Sequence, residues 1–131
     1  MKVLISFDID GTLEGGDPPG PVTYDMVRKA QELGCIIGSA SDRALSAQQA
    51  LWDRAGIKND FIARKHELDK VIEQFDADFY VHTGDRDLDK SFSLEAGFHF
   101  WWMDDAGNEP WVPMASGEDE SIPDFTMSPE D

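Results

Sequence analysis

Two groups of carboxylates and one ammonium stand out in the 131-residue chain as side chains able to do chemistry together. The first group is Asp8-Ile9-Asp10-Gly11-Thr12 and the second is Gly84-Asp85-Arg86-Asp87-Leu88-Asp89. Between them come Ser39-Ala40-Ser41-Asp42-Arg43 and Lys65. Carboxylates that converge repel one another unless a hard divalent cation lies between them. The same cation can hold a phosphoryl oxygen, and a hydroxyl and an ammonium can take the others. The set therefore reads as a pocket for a divalent cation and a phosphate. Arg43 could reach that phosphate or pair locally with Asp42 or Asp53. The three histidines, His66, His82 and His99, have no metal-ligand spacing, and His82 reads as a hydrogen-bonded core residue. No Gly-x-x-x-x-Gly-Lys-Ser/Thr run exists, which excludes a nucleotide-binding P-loop.

These groups need strands to carry them. Short continuous apolar runs occur at Val3–Phe7, Cys35–Ile37, Phe61–Ala63, Phe79–Val81 and Phe98–Trp101. Unbroken hydrophobicity suits strands buried on both faces. Helical patterns fill the gaps. Thr23 is a suitable N-cap for a helix over 24–33 closed by Gly34, and 44–55 ends at Gly56. In 66–75, Leu68, Val71, Ile72 and Phe75 follow i, i+3, i+4, i+7. A last helix over 87–96 stops at Gly97. Five strands alternating with four helices predict an α/β fold, a three-layer Rossmann-like arrangement with a mostly parallel five-stranded sheet. Ligands in such sheets bind beyond the carboxyl ends of the strands, which is where Asp8, Ser41 and Asp85 fall. Residues 11–22, rich in Gly and Pro, read as a loop or small hairpin. Trp101 and Trp102 read as core and edge covering.

Composition bounds the rest. Hydrophobic residues at 40% allow one real core, and the length allows one domain. Against 11 basic side chains stand 27 acidic ones, a net charge of −16 that argues against nucleic acid or an anionic membrane as partner. Residues 101–131 hold nine acidic and no basic side chains, leaving −7 on the first 100. The division expected is a catalytic domain over 1–114 and an acidic, flexible tail over 115–131. A single cysteine, Cys35, excludes an internal disulfide. The five mostly apolar residues ahead of Asp8 are too few for a signal peptide or a span, so the expected setting is the cytoplasm.

Asp8-x-Asp10-Gly11-Thr12, a Ser at the second strand end, Lys65 ahead of the fourth strand and Gly84-Asp85-x-x-x-Asp89 resemble the four-motif signature of the haloacid dehalogenase-like (HAD) superfamily. The match runs in order from about residue 3 to 102. Asp-x-Asp-Gly-Thr arises by chance in roughly one of 200 sequences of this composition. The resemblance implies a Mg²⁺-dependent phosphomonoester hydrolase. Asp8 would be the nucleophile that forms an aspartyl-phosphate, and Asp10 the general acid and then base. Ser41 and Lys65 would hold the phosphoryl group. The metal set would be Asp8, Asp10, Asp85 and Asp89. Ser41 is preferred to Ser39 because Ser41-Asp42-Arg43 resembles the run that follows this strand in many members, and Lys65 to Lys70 because Lys70 lies over a turn inside the helix. Asp10 tells against a dehalogenase and leaves phosphomutase as a minor variant. Cap domains of related enzymes have no room here, since about 30 residues separate Asp10 from Ser41 and 23 separate Ser41 from Lys65. A capless site accepts a bulky phosphorylated substrate, or a second copy of the chain closes it.

Two other classes share some of these features. A receiver-type phospho-acceptor module has similar length, alternation and an early acidic pair. Here, however, no Asp ends the third strand, and Lys65 precedes the fourth strand instead of following the fifth. A catalytically slow member acting as a binding or regulatory protein would lack some catalytic group, and none is missing.

Overall fold

A computed structural model describes residues 1–117. The chain builds β1 (Val3–Phe7), α1 (Tyr24–Glu32), β2 (Ile36–Ser41), α2 (Leu45–Ala55), β3 (Phe61–Arg64), a 3-10 turn (Lys65–Glu67), α3 (Leu68–Gln74), β4 (Phe79–Gly84), α4 (Asp87–Ala96) and β5 (His99–Trp102). Two short helices follow, α5 (Met103–Ala106) and α6 (Trp111–Ser116). The strands form one sheet in the order β3-β2-β1-β4-β5. All four pairings are parallel, so the sheet is wholly parallel where the sequence suggested mostly so. The reason is that a helix lies in every connection between consecutive strands, and such crossovers return the chain in the same direction.

Local chemistry explains the helix ends. Thr23 caps α1 as expected, its Oγ1 accepting from the Met26 N–H at 3.2 Å. Gly56 and Gly97 end α2 and α4 in the left-handed conformation. The expected helix over 66–75 begins instead as the 3-10 turn at Lys65 and becomes α-helical from Leu68.

Alternation along the strands separates two cores. Val3, Ile5 and Phe7 pack with Val27, Ala30 and Trp52 of α1 and α2, and also with Trp101, Trp111 and Met114. Leu4 and Ala40 face the other way, onto Leu68 and Val71 of α3 and Phe98. Helices therefore cover both faces, giving the three-layer Rossmann-like arrangement. Trp111 meets Phe7 edge-on at 6.0 Å and stacks with Trp101 at 6.3 Å, so α6 lies on the sheet face.

Helix α6 runs two residues past the expected boundary at 114, and Ala115 packs partly on the core. The N-terminal ammonium donates to the Met114 carbonyl at 3.1 Å, tying the first residue to this helix. The remainder of the expected acidic tail, residues 118–131, lies outside the described residues. Residues 11–22 form a loop closed by one bridge, Leu13 to Val22. That bridge is parallel, so the segment is not a hairpin. Among the described residues, no helix is long and apolar enough to cross a membrane.

Candidate metal and phosphate site

Neighbouring strands β1 and β4 send their chains to opposite sides of the sheet, β1 toward β2 and β4 toward β5. Such a switch point leaves a crevice beyond the strand ends. Asp8 lies immediately past β1, its backbone N–H donating to the Thr83 carbonyl at 2.9 Å. Asp85 follows β4, and Asp89 stands one turn into α4. Ligand oxygens of Asp8, Asp85 and Asp89 all lie within 4.8 Å of one another, so this group could hold a metal ion.

Two glycines make the convergence sterically feasible. A Cβ on Gly11, where φ is +80°, would come within 2.0 Å of Asp85 Oδ2. A Cβ on Gly84 would come within 2.4 Å of the Asp89 carboxyl carbon. Gly11 thus lets the first acidic motif approach the second, and Gly84 makes room for Asp89 of its own motif, since real Cβ contacts are essentially never this short.

Lys65, 5% exposed, joins the acids. Its Nζ is 2.9 Å from Asp89 Oδ1, 3.5 Å from Asp8 and 3.6 Å from Asp42. Burial disfavours its charge, but the surrounding carboxylates more than offset that and hold its pKa above the ordinary lysine value. Lys70 is exposed and pairs with Glu67 at 2.9 Å. Asp89 Oδ1 also faces His82 Nε2 at 3.2 Å, while Oδ2 accepts from the Arg86 backbone N–H at 3.2 Å. Burial pushes the Asp89 carboxyl up, yet the bonds and charges of His82 and Lys65 prevail and hold it below the usual range. Asp8 behaves oppositely. Burial, then the Asp89 charge, push it up to about 8 against the pull of Lys65. Without a cation, one negative charge resides on Asp89 and Asp8 tends to keep its proton. Asp85 Oδ1 is buried with no hydrogen-bond partner, as expected of an oxygen reserved for a ligand.

Ser39 and Ser41 point the same way from β2, but their fates differ. Ser39 donates to Gln48 Oε1 at 2.7 Å and accepts from the Trp52 indole at 3.0 Å, deep in the core. Ser41 lies one repeat nearer the strand end and lines the same cavity as Asp8, Asp10, Asp42, Lys65 and Arg86, a space of about 60 Å³. Its Oγ accepts the Arg43 backbone N–H at 2.9 Å, which leaves its own hydrogen to donate. Asp10 borders that cavity without joining the three-acid group. Arg43 grips Asp10 through two nitrogens at 2.6 and 3.2 Å, in place of the expected Asp42 or Asp53. That contact, with the Asp17 backbone N–H, holds Asp10 below the usual carboxylate range.

His82, expected to be a hydrogen-bonded core residue, is fully buried on β4 directly across from Ser6 of β1. The ionised Asp89 can only accept, so His82 Nε2 carries a hydrogen toward it, while His82 Nδ1 and the Ser6 hydroxyl share a hydrogen bond at 2.8 Å. The relay Ser6–His82–Asp89–Lys65 was not anticipated, although Ser6 is the one polar residue in its apolar run. Replacing His82 with Phe keeps the volume but leaves Ser6 and Asp89 each short of a partner. A loss of about 1–3 kcal/mol is expected in urea unfolding, and an unchanged midpoint would show that the relay contributes nothing.

No protein-family model matches the chain, and no curated protein is significantly similar to it.

Proposed function

We propose that the protein is a Mg²⁺-dependent phosphomonoester hydrolase of the HAD type, acting through an aspartyl-phosphate on Asp8. The observation that supports this best is the convergence of Asp8, Asp85 and Asp89 within 4.8 Å, with Lys65 3.5 Å from Asp8 and Ser41 lining the same cavity. Carboxylates and water suit Mg²⁺, and the orphaned oxygen of Asp85 fits a ligand role. Bound by Asp8, Asp85 and Asp89, Mg²⁺ would supply charge neutralisation for a carboxylate meeting a phosphate dianion.

The remaining work falls to the chain. Asp8, ionised, attacks phosphorus while the ester P–O bond breaks. Lys65 and the Ser41 hydroxyl hold the equatorial oxygens as charge develops on them. Asp10, two residues beyond the nucleophile, gives a proton to the leaving oxygen. It then takes one from the water that attacks phosphorus, which releases phosphate and restores Asp8. The Arg43 contact keeps Asp10 ionised, which suits the second half of the cycle and opposes the first. Asp10 must therefore take up a proton from solvent before the first half, giving up part of its contact with Arg43, because the leaving oxygen can only accept.

No inserted domain covers the cavity among the described residues, so the leaving group projects outward or is enclosed by a second copy of the chain. A cytoplasmic setting suits Cys35, a buried thiol that burial pushes up to about 11 and so keeps unreactive at neutral pH. The direct test is hydrolysis of an aryl phosphate with and without EDTA. Activity is expected to vanish on chelation and to return with added Mg²⁺. Turnover indifferent to EDTA would remove the metal from the reading.

A further inference from the structure

The cavity of about 60 Å³ has room for a few waters, enough for a phosphoryl head but not for the body of a substrate. What distinguishes one ester from another must therefore be read at the rim. One guanidinium, that of Arg86, lines the cavity, and a second, that of Arg43, bonds the lining residue Asp10. Arg86 is exposed and forms no ion pair among the described residues, although Asp85 and Asp87 flank it in sequence. A cation with no ion-pair partner among the described residues, beside a cluster of carboxylates in a chain of net charge −16, is poised for an anion from outside.

We infer that Arg86 binds a second anionic group of the substrate. The preferred substrates are then small phosphomonoesters that carry a carboxylate or a further phosphate near the ester. This rests on the phosphatase reading and deepens it. The phosphoryl dianion is met inside by Lys65, Ser41 and the acid-bound cation. The second anion is met outside by the guanidinium, whose planar fork matches either a carboxylate or a phosphate. That contact also offsets the repulsion a doubly anionic molecule meets on approaching an acidic protein.

The test compares 4-carboxyphenyl phosphate with its neutral methyl ester, and adds 1,4-phenylene bisphosphate as the phosphate arm. The quantity read is the ratio of kcat/KM, charged over neutral. The wild-type ratio is expected to exceed about ten for at least one charged ester, the discrimination one charge-assisted contact gives. Arg86→Gln should bring the ratio down roughly tenfold, and Arg86→Lys should fall between. Lys58→Gln removes an equal charge from the loop ahead of β3, at the opposite end of the strands, and should leave the ratio where it was. An Arg86→Gln ratio equal to wild type, or an equal drop in Lys58→Gln, overturns the assignment while leaving the phosphatase intact. Failure to hydrolyse any of the three esters overturns the phosphatase reading itself, and the assignment with it.

Discussion

Replacing Asp8 with Asn is expected to abolish turnover, by about 10⁴-fold or more, and to abolish the trapped phosphoenzyme with it. Asparagine fills the same space beside Lys65 but cannot form an acyl phosphate, and loss of a covalent nucleophile leaves only what positioning and charge supply. Asp10→Asn should behave differently. Hydrolysis should fall about 10²–10⁴-fold, the usual worth of a positioned acid and base. The phosphoenzyme should still form from aryl phosphates, whose leaving groups need little protonation. Rapid acid quench and mass spectrometry distinguish the two variants. Phosphate mapped to any residue other than Asp8, or a fully active Asp8→Asn protein, would overturn the mechanism. A receiver-type module would not be phosphorylated on Asp8, so the same mapping separates the classes.

The second large effect concerns stability. Unfolded, the Asp8 carboxyl ionises near 3.8, but folded and free of metal it does so only near 8. Between those values the folded state holds one proton more than the unfolded state, so stability falls as pH rises across this window. The loss is complete above about pH 8 and absent below about pH 4. Its expected size is on the order of a few kcal/mol, roughly ten degrees in Tm. Asp8→Asn should remove this slope, which isolates it from the titration of other groups. On the proposed reading Mg²⁺ would replace the proton among the carboxylates, and it should then raise Tm more at pH 8 than at pH 5. Melting curves of the two proteins at both pH values, with Mg²⁺ and with EDTA, measure all of this. A wild-type slope identical to that of Asp8→Asn would show that the buried carboxyl is not strained.

Much of this site could be read from the sequence because strand ends are where apolar runs break into polar residues. Val3–Phe7 followed by Asp8 marks both the strand and what it carries, and the run Phe79–Val81 marks β4, which continues through His82 and Thr83 to Gly84 just before Asp85. Lys65 was legible for a related reason, since it stands at the point where β3 gives way to a helical pattern. What escaped depends on contacts between distant segments. Arg43 turned to Asp10, 33 residues away, because β1 and β2 are neighbours, whereas sequence offered only the nearby Asp42 and Asp53. Ser39 and Ser41 look alike until Gln48 and Trp52 of α2 engage the first. Helices α5 and α6 are too short to show a period, and Pro110 and Pro113 disguise the second. Only the anchoring of Trp111 against Phe7 makes it a helix that packs.

The central place of β1 governs how the molecule is made. A nascent chain that has cleared the ribosome through Arg64 holds β1, β2 and β3, yet β1 must wait for Phe79–Gly84 to occupy its other flank. Until then the peptide groups of Val-Leu-Ile-Ser-Phe are an open edge, a template for pairing with another chain. Asp8 meanwhile has neither Asp85 nor Asp89 beside it, so the three-acid group does not yet exist. A fragment ending before β4 is expected to keep this open edge and to aggregate, whereas addition of β4 and α4 closes the flank of β1 and brings Asp8, Asp85 and Asp89 together.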